Sequence, residues 1–325
     1  MDRRAFLGIL AVSVFVSTGK SAAQNASRLP SIGILHTAAA PTSQSANAIV
    51  NGLRDLGYVD GKTATIILRA AHGEPDRLPR LAAELMERKV DVIYAVGPAA
   101  VRTALEVAAG IPIVALDLET DPVQAGWARS LAQPGGDVTG LFLDLPDLAG
   151  KWLALLREAA PGLRRIGVLW DTTTGTSQLL PLRAEAQRRA VDLVVLEFHD
   201  FEDLAAALRA GADAGIKGMV LLSSPTTDLH SPSIAAFTVK NRLPAISPFR
   251  QFARNGGLMA YGPDLAALYN RAATYADRIL KGAKAGDLPI EQPTKFNMWV
   301  NRRTAKVLGL AIPQSLMLAA DEVIQ

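Results

Sequence analysis

The chain has 325 residues, 49% of them hydrophobic and 20% charged, with a formal net charge of +3 and no cysteine. That apolar content supports sizeable cores and excludes an intrinsically disordered chain, and the length accommodates two domains of ordinary size. No basic stripe suited to nucleic acid is present, and without cysteine neither a disulfide nor a lipidated-cysteine anchor can form.

Residues 1–23 read as a cleavable secretory leader. Arg3 and Arg4 supply a positive start, Ala5 to Val16 is an apolar run, and Ser21-Ala22-Ala23 offers small residues for cleavage. The run is shorter than the roughly 20 residues a membrane-spanning helix needs. Gly8, Ser13 and Lys20 weaken the alternative of an uncleaved anchor. Arg3-Arg4-Ala5-Phe6-Leu7 is also similar to a twin-arginine export signal, so both export routes stay open. Without the leader the chain carries 31 basic and 30 acidic residues (34 less Arg3, Arg4 and Lys20; 31 less Asp2). A soluble protein of the periplasm is the expectation.

Beyond the leader, apolar strand-like runs alternate with amphipathic stretches. Ser31–Leu35 is a predicted strand, and Ile49, Leu53 and Leu56 share one face of the helix that follows. Ala64–Leu68 is a second strand, and a helix beginning at Asp76 sets Leu78, Leu81 and Leu85 together. Val90–Val96, closed by Gly97-Pro98, then a helix to Ala109, Ile111–Leu116, an acidic loop and Val138–Leu143 complete the first half. Such alternation predicts an α/β domain with a mainly parallel sheet. The near-continuous apolar strands fit a sheet covered by helices on both faces.

The second half repeats the first. Ile32-Gly33-Ile34-Leu35-His36-Thr37 returns as Ile166-Gly167-Val168-Leu169-Trp170-Asp171-Thr172, an offset of 134 (166 less 32). Ile111-Pro112-Ile113-Val114 returns as Leu243-Pro244-Ala245-Ile246, an offset of 132 (244 less 112). Between and beyond these lie predicted strands Val191–Glu197 and Gly218–Leu222 and helices Leu179–Arg189, Phe201–Ala214 and Ser233–Asn241. The repeat predicts two doubly wound, Rossmann-like lobes facing each other across a cleft.

In open parallel sheets, ligands sit at the carboxyl ends of the strands. Those ends are His36-Thr37, Gly97-Pro98-Ala99, Asp117 to Asp121, Asp171 to Thr176, Ser223-Ser224-Pro225 and Ser247-Pro248-Phe249. Their Gly, Ser, Thr, Pro and Asp content suits capture of a small solute by backbone and short side chains. Phe249 and Tyr261 could stack on a planar ligand or serve only in packing near the hinge.

Several blocks carry a resemblance: Gly52-Leu53-Arg54-Asp55-Leu56-Gly57-Tyr58-Val59-Asp60-Gly61-Lys62, Gly73-Glu74-Pro75-Asp76-Arg77-Leu78, Thr120-Asp121-Pro122-Val123, Pro134-Gly135-Gly136-Asp137-Val138-Thr139-Gly140, Ala260-Tyr261-Gly262-Pro263-Asp264-Leu265, Gln292-Pro293-Thr294-Lys295-Phe296 and Ala320-Asp321-Glu322-Val323-Ile324. In these, from about Ile32 to the C-terminus, the chain resembles the ABC-transporter substrate-binding proteins that include tryptophan- and tyrosine-binding receptors. The resemblance implies a type I periplasmic-binding fold with three hinge crossings, near Asp144–Pro146, Ala260–Pro263 and Leu288–Gln292. Lobe one would then comprise 24–143 plus 263–288, and lobe two 147–260 plus 291–325. The long helix Leu265–Leu280 would return to lobe one, and Phe296–Val300 would finish lobe two.

It also implies a non-catalytic receptor, monomeric, that hands a small-molecule ligand to a permease and its ATPase, or alternatively reports occupancy to a membrane sensor. By resemblance, Gly97, Pro98, Ala99, Thr120 and Asp121 line the lobe-one wall. Asp171 to Ser177, including Thr172, would offer NH groups and hydroxyls to a ligand carboxylate. His36, Thr37, Ser223, Ser224, Ser247, Phe249 and Tyr261 complete the expected site. One departure stands out: aromatic-amino-acid receptors of this family often carry an acid after the strand ending at Leu222, where this chain has Ser223-Ser224-Pro225. That raises a carboxylate or another neutral-to-anionic solute as an alternative ligand.

Other chemistry finds little support. Asp117, Glu119 and Asp121 are spaced like a calcium loop, but Pro122 and Ala128 stand where glycine and glutamate belong. Asp121 before Pro122 suits a helix cap as well as a ligand contact. His36, His72, His199 and His230 form no zinc-type pair. No dinucleotide, Walker or nucleophile-elbow motif is present, so neither cofactor, metal nor catalysis is expected.

Overall fold

A computed structural model describes residues 28–38, 44–108, 110–143 and 145–325. The leader, Ala109 at the end of the third predicted helix and Asp144 of the first crossing lie outside the described residues.

Lobe one follows the alternating pattern: β1 (Ser31–His36), α1 (Gln44–Asp55), β2 (Thr65–Ala70), α2 (Leu78–Glu87), β3 (Val92–Val96), α3 (Pro98–Val107), β4 (Ile113–Asp117) and β5 (Val138–Phe142). The five strands are parallel, in the order β2-β1-β3-β4-β5. β1, β3, β4 and β5 are buried along their whole length, because successive side chains enter opposite helix layers. Ile32, Ile34, Tyr94 and Val114 join one cluster with Ile49 and Leu53 of α1, while Ile93, Ala95 and Ala115 join Leu81, Leu85 and Ala104 of α2 and α3.

Lobe two comprises α4 (Leu145–Ala159), β6 (Arg165–Asp171), α5 (Leu179–Arg188), β7 (Asp192–Phe198), α6 (Phe201–Asp213), β8 (Gly218–Leu221), α7 (Pro225–Leu229), α8 (Ser231–Lys240), β9 (Ala245–Ser247), α9 (Arg250–Arg254) and β10 (Met259–Pro263). The remaining elements are α10 (Leu265–Leu280), β11 (Phe296–Asn301), α11 (Arg302–Leu308), α12 (Gln314–Ala319) and β12 (Glu322–Ile324). Its sheet runs β12-β11-β10-β9-β8-β6-β7. The inner order β7-β6-β8-β9-β10 reproduces that of lobe one, and β11 joins it antiparallel to β10. The repeat extends to single hydrogen bonds: Ile93 of β3 donates to the Pro112 carbonyl at 2.9 Å, and Met219 of β8 donates to Pro244 at 2.9 Å.

Three crossings join the lobes. The chain leaves β5 for α4, which packs on β8, β9 and α5. It returns from β10 into α10, which packs against α1, β3, β4 and β5, and it crosses again between α10 and β11. The last passage hugs lobe one, with Glu291 pairing with Gly140 and Phe142 of β5. Trp152 of α4, fully buried, donates to the Tyr261 carbonyl at 2.7 Å and ties the first crossing to the second.

Two local expectations change. The helix expected from Asp76 opens as a single 3-10 turn, Pro75–Arg77, before α2. More consequentially, the segment expected as loop after Leu222 contains α7, capped by Ser224, whose Oγ accepts from the Thr226 amide at 3.0 Å. The start signal is present in the sequence as serine followed by proline at the first helical position.

Candidate ligand-binding cleft

The carboxyl ends of β1, β3 and β4 face α7, α8 and α9 of the other lobe around a cavity of about 260 Å³. Lobe one contributes His36, Val96, Leu116, Leu118 and Glu119, with Leu265 and Tyr269 from α10. Lobe two contributes Asp228, Leu229, Ser231, Phe249, Gln251 and Asn255. Side-chain hydroxyls hold the lobes shut around it. The Ser223 hydroxyl donates to the Glu119 carboxyl, and the Ser177 hydroxyl donates to the Glu119 carbonyl. Gly97 sits at φ +88°, and a Cβ there would come within 2.7 Å of Pro225 Cγ across the cleft. That close approach demands glycine.

The acidic groups of the cavity are Glu119 and Asp228, set among the neutral polar side chains of Ser45, Ser231, Gln251 and Asn255. Glu119 is buried, with one carboxyl oxygen on Ser223 and the other accepting from the Leu118 amide at 3.2 Å. Burial, and then the charge of Asp117, push its carboxyl well above the usual range. Asp117 behind it is also raised by burial; its Oδ1 accepts from the Glu119 and Thr120 amides at 2.9 and 3.0 Å.

Asp228 on α7 presents part of its surface to the cavity, while its Oδ1 is sealed from solvent without a hydrogen-bond partner. Burial raises its carboxyl to about 6. His36 is held neutral, pushed down to about 3 by burial. Its Nδ1 accepts from the Ala38 amide at 3.1 Å, which leaves the ring proton on Nε2. Among the described residues lining the cavity there is no lysine or arginine. Arg250 lies in an adjoining recess of about 40 Å³, together with Asp264.

A two-lobed α/β fold closed on a small interior cavity fits the comparisons with known proteins. The model of the family described as ABC transporter substrate binding protein matches residues 32–324. The chain belongs to this family. A tyrosine-binding protein of Clostridioides difficile (strain R20291) is 26% identical over 334 residues, spanning 97% of this chain and 92% of that protein. Among solved structures, a conserved domain protein from Vibrio cholerae O1 biovar eltor superposes with a TM-score of 0.82 at 22% identity, over 91% of this chain and 100% of that one. An ABC domain from Streptococcus pneumonia in complex with L-Trp gives 0.81 at 21% identity, with the same two coverages. At that identity the likeness concerns the fold. Leucine-binding and LacI-type structures share it.

Within this substrate-binding protein, His36 and Phe249 of the expected site line the cavity, and Ser223 braces its wall. Asp121 does not. It is exposed and accepts from the Val123 and Gln124 amides at 2.9 and 3.0 Å, so it caps a turn, while the Thr120 amide serves Asp117. The Asp171 loop is likewise turned inward instead of toward a ligand carboxylate. Asp171 Oδ1 accepts from Thr173, and its Oδ2 accepts from the Ser224 hydroxyl at 2.6 Å. Thr172 meets Phe198 and His199 and, with Ala99, borders a separate surface notch.

Thr37 donates to the Val96 carbonyl at 3.0 Å, Ser247 accepts from the Phe249 amide at 3.2 Å, and Gly97 and Pro98 start α3. Tyr261 packs 6.1 Å from Phe296, between Lys151 and the hinge. Glu119, Asp228, Gln251, Asn255, Leu265 and Tyr269 were not expected. The carboxylate missing directly after Leu222 is thus supplied six residues on, at Asp228, because α7 turns it back into the cleft. Among the described residues no group of three or more His, Cys, Asp or Glu could hold a metal ion, and no helix is long and apolar enough to cross a membrane.

Proposed function

We propose that this protein is the extracytoplasmic solute receptor of an ABC importer, capturing a small solute bearing an amino group and delivering it to a membrane permease. The observation that carries this reading is the cavity between the lobes, lined by Asp228, whose buried Oδ1 has no hydrogen-bond partner. A buried charge of that kind is costly until a counter-charge reaches it. The names of the tyrosine-binding relative and of the L-Trp complex agree with an amino-bearing ligand. Acidic lining argues against the anionic solute that the sequence left open.

Closure supplies the capture step. A ligand between Glu119 and Asp228 touches both lobes only when they are shut, so binding draws the hinge equilibrium to the closed form. The protein acts as a monomer without catalysis. Residues 1–23 direct it out of the cytoplasm to the periplasm.

A thermal-shift screen of the purified protein against amino acids, amines, aromatic acids and sugars tests this. A solute at a hundred times its dissociation constant adds about 2.7 kcal/mol of stability, a readable shift. The expected result is stabilisation by amino-bearing solutes. A broad panel without any hit on folded protein would refute the receptor role.

A further inference from the structure

We infer that the solute is a protonated monoamine with an apolar body, in preference to a zwitterionic amino acid. This rests on the receptor reading above and concerns the charge balance of the cavity. Two acids, Glu119 and Asp228, face the space, and no lysine or arginine among the described residues lines it. His36 is neutral, with its Nδ1 taken by the Ala38 amide.

Arg250 is the nearby cation. Its recess is small, about 40 Å³ against about 260 Å³ for the cavity, and Asp264 shares it. A ligand ammonium placed against the part of Asp228 that opens on the cavity neutralises one acid. A ligand carboxylate in the same space would meet carboxyl groups and no fixed cation, and an unpaired buried charge is expensive.

The rest of the wall carries no charge, with Ser45, Ser231, Gln251 and Asn255 as neutral polar groups among apolar side chains. Val96, Leu116, Leu118, Leu229, Phe249 and Leu265 enclose the body of the ligand. A cavity of about 260 Å³ is near the lower end of small-molecule sites, about 300 Å³. One branched alkyl or one aromatic group therefore fills it.

Isothermal titration calorimetry at neutral pH with matched pairs tests the inference: tyramine against tyrosine, tryptamine against tryptophan, and isoamylamine against leucine. At least one amine is expected to bind more tightly than its amino acid by about tenfold or more, and Asp228→Asn to remove that preference. Asp228→Glu, which keeps the charge, should retain it. An amino acid binding as tightly as its amine, or more tightly, overturns the inference. If no member of any pair binds while the screen finds another solute, the amine class falls and the receptor reading stands. If nothing binds, both fall.

Discussion

Replacing Ser223 by alanine separates closure from folding. The Ser223 hydroxyl reaches Glu119 from 104 residues away, and the two lie on opposite lobes. The bond therefore exists only in the shut form; in an open cleft both groups would be hydrated. Ser223→Ala leaves one oxygen of a buried carboxyl without its donor, a cost of about 1–3 kcal/mol. The cost falls on the closed state alone. Affinity for tyramine should thus drop about 5- to 150-fold, with the circular dichroism of the free protein unchanged. Calorimetry reads the affinity, and small-angle scattering with and without tyramine reads the compaction. In a Glu119→Ala background the same substitution should cost nothing further, since the pair acts as a unit. Wild-type affinity in Ser223→Ala, or an undiminished loss in the Glu119→Ala background, would refute the coupling of this bond to closure.

Three further outcomes follow from the geometry. Asp228 titrates near 6, neutral below and charged above, while an alkylammonium stays protonated throughout. Tyramine affinity should therefore rise about tenfold from pH 5 to pH 7, as the ionised fraction climbs from about a tenth to about nine-tenths; a flat or falling profile would remove Asp228 from the site. Asp121→Ala should cost about 0.5–2 kcal/mol of stability through the lost cap, read by chemical denaturation, with solute affinity unchanged; a tenfold loss of affinity would return Asp121 to the cleft. Gly97→Val places a side chain where Pro225 stands 2.7 Å from a built Cβ and forces a positive φ on a β-branched residue. Binding should be lost while the secondary structure persists, and retained binding would show that the lobes meet elsewhere.

Much of the architecture is written locally. The apolar runs that became β1, β3, β4, β6 and β8 lie within a residue or two of their expected limits, since a strand buried on both faces needs only its own side chains to declare it. The helix Leu265–Leu280 was expected from the family resemblance, and its buried stripe runs through Leu268, Ala272 and Tyr275 at helical spacing. The repeat of Ile-Gly-Ile-Leu as Ile-Gly-Val-Leu announced two lobes of one topology. The prolines before β4 and β9 then proved to occupy equivalent hydrogen-bonding positions. Hydroxyl-rich strand ends were harder to read. Asp121, Asp171 and Ser224 have the composition of a polar site, yet each spends an oxygen on a neighbouring turn or cap, as short polar side chains readily do, and Thr172 turns to Phe198 and His199. Ser224-Pro225 contained the signal for α7, and with it the orientation of Asp228.

By itself the sequence determined the alternation of strands and helices and the duplication, because these rest on apolar patterns within single segments and on their recurrence; the return of the last long helix to lobe one came only from the family resemblance. Only the tertiary structure decided which polar groups face the solute. Glu119 and Asp228 come from different lobes, and their meeting depends on how two separately folded sheets shut on each other. Burial then sets their chemistry: the same carboxyls in an exposed loop would be ordinary surface acids, and within the cleft both are held high.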